Sequence, residues 1–131
     1  MDREAVRALA VTFGLIVAIA GAIAAVVSRG ESFMLPEMLR LKGEFLAQAA
    51  DRCGAEDCFR RSIALADQQF ALSWRLRTAI SFARLPNRRG GRNDAQSELV
   101  RAYAQFQEGY DTADLRSAKL LLDKMGQSVA C

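Results

Sequence analysis

The apolar positions of this chain follow two different patterns. Residues 8–27, "ALAVTFGLIVAIAGAIAAVV", contain no charged side chain. From residue 36 onward, apolar residues instead recur three and four positions apart among charged ones, which is typical of amphipathic α-helices. No stretch alternates apolar and polar residues as a half-buried strand does. The pattern predicts an all-α fold of short antiparallel helical hairpins, preceded by an apolar N-terminal helix.

Five amphipathic helices are predicted after the apolar stretch. They cover residues 36–52, 55–69, 71–85, 95–108 and 113–125. Pro36 suits a first helical turn, where its missing N–H costs nothing, and Gly54 and Gly126 are expected to end helices. The faces predicted to be buried are Met38, Leu39, Leu41, Phe45, Leu46 and Ala49 in the first, Ala55, Cys58, Phe59, Ser62, Ile63 and Ala66 in the second, Leu72, Leu76, Ala79, Ile80 and Ala83 in the third, and Leu99, Ala102, Tyr103 and Phe106 in the fourth.

The stretch "PNRRGGRND", residues 86–94, has the composition of a loop, with Asn93 or Asp94 available to cap the next helix. Arg84, Arg88, Arg89 and Arg92 are the basic residues of this region, and they are candidates for contact with phosphates or an acidic partner. No aromatic residue alternates with them, as a surface that stacks single-stranded bases would need. A solvated loop is therefore the favoured interpretation, and no nucleic-acid partner is expected.

An internal repeat becomes visible when residues 43–62 are laid on residues 83–102. Small residues then coincide where two helices of a hairpin must touch, and a large apolar residue coincides four positions into each second helix. The matched pairs are Gly43 with Ala83, Ala50 with Gly90, Ala55 with Ala95, Phe59 with Leu99, and Ser62 with Ala102. This spacing resembles the tetratricopeptide repeat (TPR). Pro86 stands where that repeat usually has an aromatic residue, so the first helix of the second copy should end early.

A second resemblance covers about residues 14–126. The segments "SFMLPEMLRLKGEFL", "AEDCFRRSIALA", "SWRLRTAISFARL" and "GYDTADLRSAKLLLDKM" resemble the TPR-like C-terminal tails of large bacterial signalling proteins. Those proteins join a class III adenylate/guanylate cyclase domain, or a winged-helix DNA-binding domain, to an ATPase and the tail. The resemblance implies a regulatory or interaction role, without the catalytic domains.

Composition argues against an enzyme. The chain has 131 residues, enough for one modest core, a net charge of +3 and no His, which is the commonest general base and metal ligand. Cys53, Cys58 and Cys131 are an odd number in no recognised metal or redox spacing, which favours free thiols in a reducing compartment. We therefore expect no catalytic residues, no metal site and no cofactor.

A groove for a protein or peptide partner is the expected binding site. In TPR arrays the first helices of the repeats line a concave groove, and Arg40, Glu44, Arg77 and Arg84 are the residues that would face it here. Trp74 is predicted to pack between repeats. Because repeat arrays need neighbours to cover their end faces, a homo-oligomer is also among the expected arrangements.

The apolar stretch admits two interpretations. Twenty helical residues span about 30 Å, the thickness of the hydrocarbon layer, and the small residues Ala10, Gly14, Ala18 and Ala22 could let two such helices approach closely. Counting 40 residues back from Ala55, Phe59 and Ser62, however, gives Leu15, Ile19 and Ala22, again small or apolar residues in the repeat register. A signal peptide is a third alternative, weakened by Asp2 and Glu4 ahead of the apolar stretch. By a narrow margin, these observations favour a membrane span over a buried repeat helix.

The sequence therefore predicts residues 1–30 as an apolar helix, with a span at about 8–27, and residues 31–131 as a TPR-like repeat domain. The predicted function is a non-enzymatic interaction module, held in the inner membrane with its repeat domain in the cytoplasm. The alternative is a soluble cytoplasmic fragment of a nucleotide cyclase or transcriptional regulator.

Overall fold

A computed structural model describes residues 2–30, 32–86 and 91–129, and the side chains of residues 91–93 and 127–129 lie outside that description. Throughout the described residues the regular structure is helical, with no strand. The helices are α1 (Arg3–Arg29), α2 (Leu35–Gln48), α3 (Arg52–Gln68), α4 (Leu72–Ala83), α5 (Gly91–Ala104) and α6 (Ala113–Val129). The predicted all-α fold with an apolar N-terminal helix is thereby confirmed.

Two glycines do not end helices as the sequence predicted. Gly54 lies in the first turn of α3, where its N–H donates to Asp51 Oδ1 at 2.9 Å. Asp51 is the N-cap of that helix, so α2 ends at Gln48 and not at residue 52. Gly126 lies inside α6, which continues to Val129. Both corrections have one cause, since a glycine is tolerated in a helix and another residue can supply the signal that fixes the boundary.

The turns α2–α3 and α3–α4 share one backbone geometry. Ala50 and Phe70 adopt the left-handed conformation, with φ of 62° and 56°. In each turn, the N–H of the following residue donates to the carbonyl five residues earlier. Asp51 donates to Leu46 and Ala71 donates to Ala66, both at 2.9 Å. These are Schellman closures without the usual glycine. Ala50 is therefore the turn residue that the repeat alignment required.

The predicted loop at residues 86–94 is shorter than expected. α4 ends at Ala83, three residues before Pro86, as the proline predicts, whereas α5 already begins at Gly91. Asp94 consequently lies in the first turn of α5 and is not its N-cap. Arg88, Arg89 and Gly90, on which part of the prediction rested, lie outside the described residues.

The helices from α2 onward pack in two layers. Each helix contacts the next along the chain, and in addition α2 contacts α4 and α4 contacts α6. These three helices therefore form one layer, with α3 and α5 behind it. One buried cluster joins α4, α5 and α6 around Leu76, Leu99 and Leu115, and a second joins α3, α4 and the start of α5 around Phe59 and Phe82.

The predicted buried faces are correct to different degrees. In α3 all six predicted residues are buried, and in α4 the residues Leu76, Ala79 and Ile80 are. Leu72 is exposed, contrary to the prediction, because it opens α4 at the end of the stack. In α2 only Leu39 of the predicted set is buried. Periodicity identifies an apolar face, but how far neighbours cover it depends on the packing.

Gly43 explains how closely α2 and α3 approach. A Cβ built at this position would lie 2.6 Å from Cε1 and 2.9 Å from Cδ1 of Phe59. The ring of Phe59 is itself buried, so it has little room to move. The pairing of a small residue in the first helix with a large one in the second is therefore a real contact.

Replacing Gly43 with Ala tests that contact. Alanine favours a helix by about 1 kcal/mol over glycine, but overpacking costs about 1–3 kcal/mol. The net expectation is that Gly43→Ala lowers the free energy of unfolding by up to about 2 kcal/mol, measured by urea denaturation of the chain in mild detergent. Gly126→Ala, with no atom within 4 Å of the new Cβ, is the matched control and should leave stability equal or raised. Equal stabilisation by both variants would contradict the close approach.

The apolar helix α1 buries none of its residues. Thr12, Ile16, Ile19, Ile23 and Val26 lie on one face and are half-covered, and α1 contacts only α2 among the other helices. The short link makes α1 and α2 an antiparallel hairpin. In the repeat register Leu15, Ile19 and Ala22 correspond to buried residues of α3, yet Leu15 is exposed and the other two are half-covered. α1 therefore takes the place of a repeat helix next to α2, but its residues in the repeat register are not part of a buried core.

Candidate partner-binding groove

The four residues predicted to face a partner lie around one cleft. Arg40 and Glu44 come from α2 and Arg77 from α4, while Arg84 directly follows α4. Asp114 of α6 completes the charged lining of this cleft, whose volume is about 180 Å³. The cleft lies on the layer formed by α2, α4 and α6, because its lining comes from these three helices and from Arg84. Arg40 and Glu44 are one turn apart in α2 and therefore point to the same side of that helix. We call it the α2–α4–α6 groove.

Arg40 is the centre of an ion-pair network in the groove. Its guanidinium forms two hydrogen bonds to the carboxylate of Glu37, at 2.5 and 2.9 Å, and a third to Glu44 Oε1 at 2.9 Å. Ser81 Oγ of α4 also donates to Glu44 Oε1, at 2.7 Å. The hydrogen bond from Glu37 raises the pKa of Arg40 above its ordinary value, and the nearby carboxylates add to this effect. Arg40 is thus a fixed charge that joins α2 to α4.

The remaining two arginines differ in how far they are neutralised. Arg77 Nε donates to Asp114 Oδ2 at 3.0 Å, and its NH1 lies 3.7 Å from Glu37 Oε1. Arg84 is exposed, and although its backbone N–H donates to the carbonyl of Ile80, its guanidinium forms neither a hydrogen bond nor an ion pair with any of the described residues. Among the described residues of the groove, Arg84 is therefore the one guanidinium whose charge is not already matched, and this group can bind an anion.

A second charged cluster on the opposite layer was not predicted. Arg75 of α4 is buried, lies 2.9 Å from Asp67 Oδ1 and 3.5 Å from Glu98 Oε2, and donates to Gln105 Oε1 at 2.7 Å. It joins the end of α3 to α5. The available signal in the sequence was Arg75 itself, which lies on the apolar face of an amphipathic helix. A charge that becomes buried there needs partners within the chain. Its charge is matched inside the chain, so the cluster is structural.

Trp74 and the cysteines have simpler environments. Trp74 is half-buried and stacks on Phe33, just before α2, with ring centroids 6.5 Å apart. It lies outside both buried clusters, so the prediction that it is a core residue between the repeats is wrong. Cys58 is buried, which raises the pKa of its thiol and keeps it protonated, whereas Cys53 is exposed. Cys131 lies outside the described residues.

The part of the chain that the structure describes contains no group of three or more acidic, His or Cys side chains placed to hold a metal ion. No protein-family model matches the chain, and neither a curated protein nor a solved structure gives a significant match. The resemblance to cyclase and regulator tails therefore stays a prediction.

Proposed function

We propose that this protein is a non-enzymatic, TPR-like interaction module that α1 tethers to a membrane and whose α2–α4–α6 groove binds a peptide segment of a protein partner. The observation that carries the proposal is that Arg40, Glu44, Arg77 and Arg84 surround a single cleft. They belong to the first helices of the two predicted repeats, or directly follow one, and these are the helices that line the concave groove of a TPR array. Side chains unrelated to a common surface would be expected to scatter over several faces.

The packing of the helices supports a TPR-like arrangement. α2 with α3, and α4 with α5, are consecutive hairpins, and the first helices of the two hairpins contact each other. Gly43 lies against Phe59 in the first hairpin, and in the second Ala83 packs against the cluster that contains Leu99. α6 then contacts α4 and α5, as a capping helix at the end of such a stack would.

The exposure of α1 supports the tether. Its most apolar 18-residue window has a mean hydropathy of 2.6, and none of that window is buried. With 27 residues it is about 40 Å long, which exceeds the hydrocarbon thickness of about 30 Å. A soluble helix that is apolar on all sides should be buried. Since the contact with α2 leaves most of α1 uncovered, insertion into lipid would remove far more apolar surface from water than that contact does.

An inserted α1 cannot also lie along α2, whose Glu37, Arg40 and Glu44 would enter the bilayer with it. The hairpin must therefore open in the tethered state. Gly30, which ends α1 with φ of 73°, lies in the link between the two helices and can absorb the change without side-chain strain. In the opened state a link of about five residues joins the repeat domain to the membrane-inserted α1.

Arg84 indicates the chemistry of the partner. The other charges of the groove are paired within it, so the uncompensated guanidinium favours a peptide that carries a carboxylate. We expect full-length protein in nanodiscs to enrich acidic peptides from a displayed random library. Arg84→Glu should weaken the selected peptides at least tenfold, equivalent to about 1.4 kcal/mol, because it places like charges together.

Arg61→Glu is the matched control for that experiment. Arg61 is an exposed arginine of α3, in the layer behind the groove. Arg61→Glu and Arg84→Glu change the net charge of the protein by the same amount. A general electrostatic effect on peptide binding would therefore appear in both variants. If both substitutions weakened binding equally, or if no peptide were enriched, the groove would not be the binding site.

A further inference from the structure

Exposed apolar side chains of the repeat domain concentrate at one end of the helical stack. We define the aromatic end as Phe33, Met34, Phe70, Leu72 and Trp74. All of these are exposed except Trp74, which is half-buried. Outside α1, the other exposed large apolar side chains of the described residues are Tyr110, in the link between α5 and α6, and Val100 and Leu120, which lie singly on helix surfaces.

The up-and-down course of the helices brings these residues together. Phe33 and Met34 lie in the link α1–α2, and Phe70 lies in the link α3–α4, which returns to the same end two helices later. Gln69 Nε2 donates to the carbonyl of Ser32 at 2.6 Å, and the stacked rings of Phe33 and Trp74 join the two links. Phe70, Leu72 and Trp74 also share a shallow open depression of about 470 Å³ with Phe106, which follows α5.

Phe70 contributes little to the stability of the fold. Its side chain is 89% exposed, and its φ of 56° is a conformation that costs a bulky L-residue about 1 kcal/mol or more. A glycine or an asparagine would close the same turn with less strain. Because the ring makes so few contacts within the fold, it is free to insert into an apolar medium.

The aromatic end is also the part of the repeat domain nearest to the proposed membrane span. Phe33 follows Arg29, the last residue of α1, by four positions. We propose that the aromatic end docks into the interfacial layer of the bilayer that α1 spans, an inference that rests on the proposed tether. An α1 that opens from α2 at Gly30 and enters the bilayer brings this end against the lipid. Trp and other aromatic rings are favoured at that depth.

The chemistry of this surface points to apolar insertion and not to charge attraction. The exposed charges around this end are of both signs, since Glu108 and Asp111 lie in the link between α5 and α6 whereas Arg29 ends α1 and Arg116 lies in the first turn of α6. A zwitterionic lipid surface is therefore the expected ligand, and binding should be the same at low and high salt.

Trp74 is the single tryptophan of the chain and so reports directly on this surface. Full-length protein would be reconstituted in phosphatidylcholine vesicles containing lipids brominated either near the headgroup or near the chain end. We expect headgroup-proximal bromine to quench Trp74 fluorescence at least twofold more strongly than chain-end bromine, and acrylamide to reach Trp74 poorly. Phe70→Ser should reduce the lipid quenching at least twofold. Leu120→Ser, an equally drastic change at a side chain 71% exposed in α6, should not.

The same samples separate this inference from the proposed tether. Protein that resists carbonate extraction while Trp74 is unquenched by bromine and open to acrylamide would overturn the docking and leave the tether intact. Protein released by carbonate, but with Trp74 quenched at neutral pH, would support docking and overturn the span. If Trp74 were shielded from acrylamide without quenching by brominated lipid, a second copy or a protein partner would cover this end, and the lipid proposal would be wrong. Far-ultraviolet circular dichroism confirms that Phe70→Ser is folded.

Discussion

Phe59→Ala should destabilise the helical domain formed by α2 to α6 by about 3–5 kcal/mol, the usual cost of truncating a buried aromatic residue. The side chain of Phe59 is 1% exposed and lies between Gly43 of α2 and Phe82 of α4, whose ring centroid is 6.2 Å away. Removing the ring therefore deletes contacts between the two hairpins as well as between the two helices of the first one. Since domains of this size are stable by about 5–15 kcal/mol, much of the stability should be lost.

Phe70→Ala is the matched control, because it makes the same chemical change at an exposed position. It removes no buried contact and should alter stability by less than about 0.5 kcal/mol. Both variants can be compared with the wild type by urea denaturation in mild detergent. An unchanged unfolding midpoint for Phe59→Ala would show that the proposed repeat register and the Gly43 contact are wrong.

A pair of arginines in α1 should release the protein from membranes. Phe13 and Val17 lie one helical turn apart on the face turned away from α2 and are exposed. Each substitution by arginine raises the free energy of insertion by about 3–4 kcal/mol, so the pair outweighs the few kcal/mol that favour a single span of this composition. We expect wild-type protein to stay with membranes after carbonate extraction, and the doubly substituted protein to appear in the soluble fraction.

A soluble α1 would tolerate arginine at these two positions, because both side chains are already exposed to solvent. If α1 is only a repeat helix resting on α2, arginines on its open face cost nothing, and the wild type itself is released by carbonate. If the protein recovered from cells were a shortened chain from which α1 had been cleaved, α1 would be a signal sequence and not a membrane span. Val100→Arg with Leu120→Arg adds the same charge to exposed positions of α5 and α6, and these substitutions should leave the membrane fraction unchanged.

The sequence located the close contacts of the first hairpin better than it located helix ends. Ala55, Phe59 and Ser62 are buried as the repeat alignment requires, because spacing along one helix fixes which side chains share a face. The boundary at Gly54 was wrong because the cap of Asp51 lies outside a pattern of apolar residues. Asp51 precedes α3 by one residue, and a capping carboxylate is a local signal that outranks a nearby glycine.

The candidate groove was predicted as a set of residues, but its electrostatics were not. The repeat register placed Arg40, Arg77 and Arg84 on first helices or at their ends. It could not show that Glu37 and Asp114 neutralise the first two, because those ion pairs depend on the rotation and separation of α2, α4 and α6. Arg84 became the distinctive residue of the groove only once its neighbours were known.

By itself, the sequence determined that this chain is helical, that its first helix is apolar on every side, and that Gly43 and Phe59 belong to one hairpin. These features depend on local composition and spacing, which are properties of a single helix or of two helices joined by a short turn. Only the tertiary structure decided that α1 is left unburied, that Trp74 stacks on Phe33, and that exposed aromatic rings gather where α1 ends. The physical reason is that these features join residues of links far apart in the chain, whose distances are fixed by the packing of whole helices.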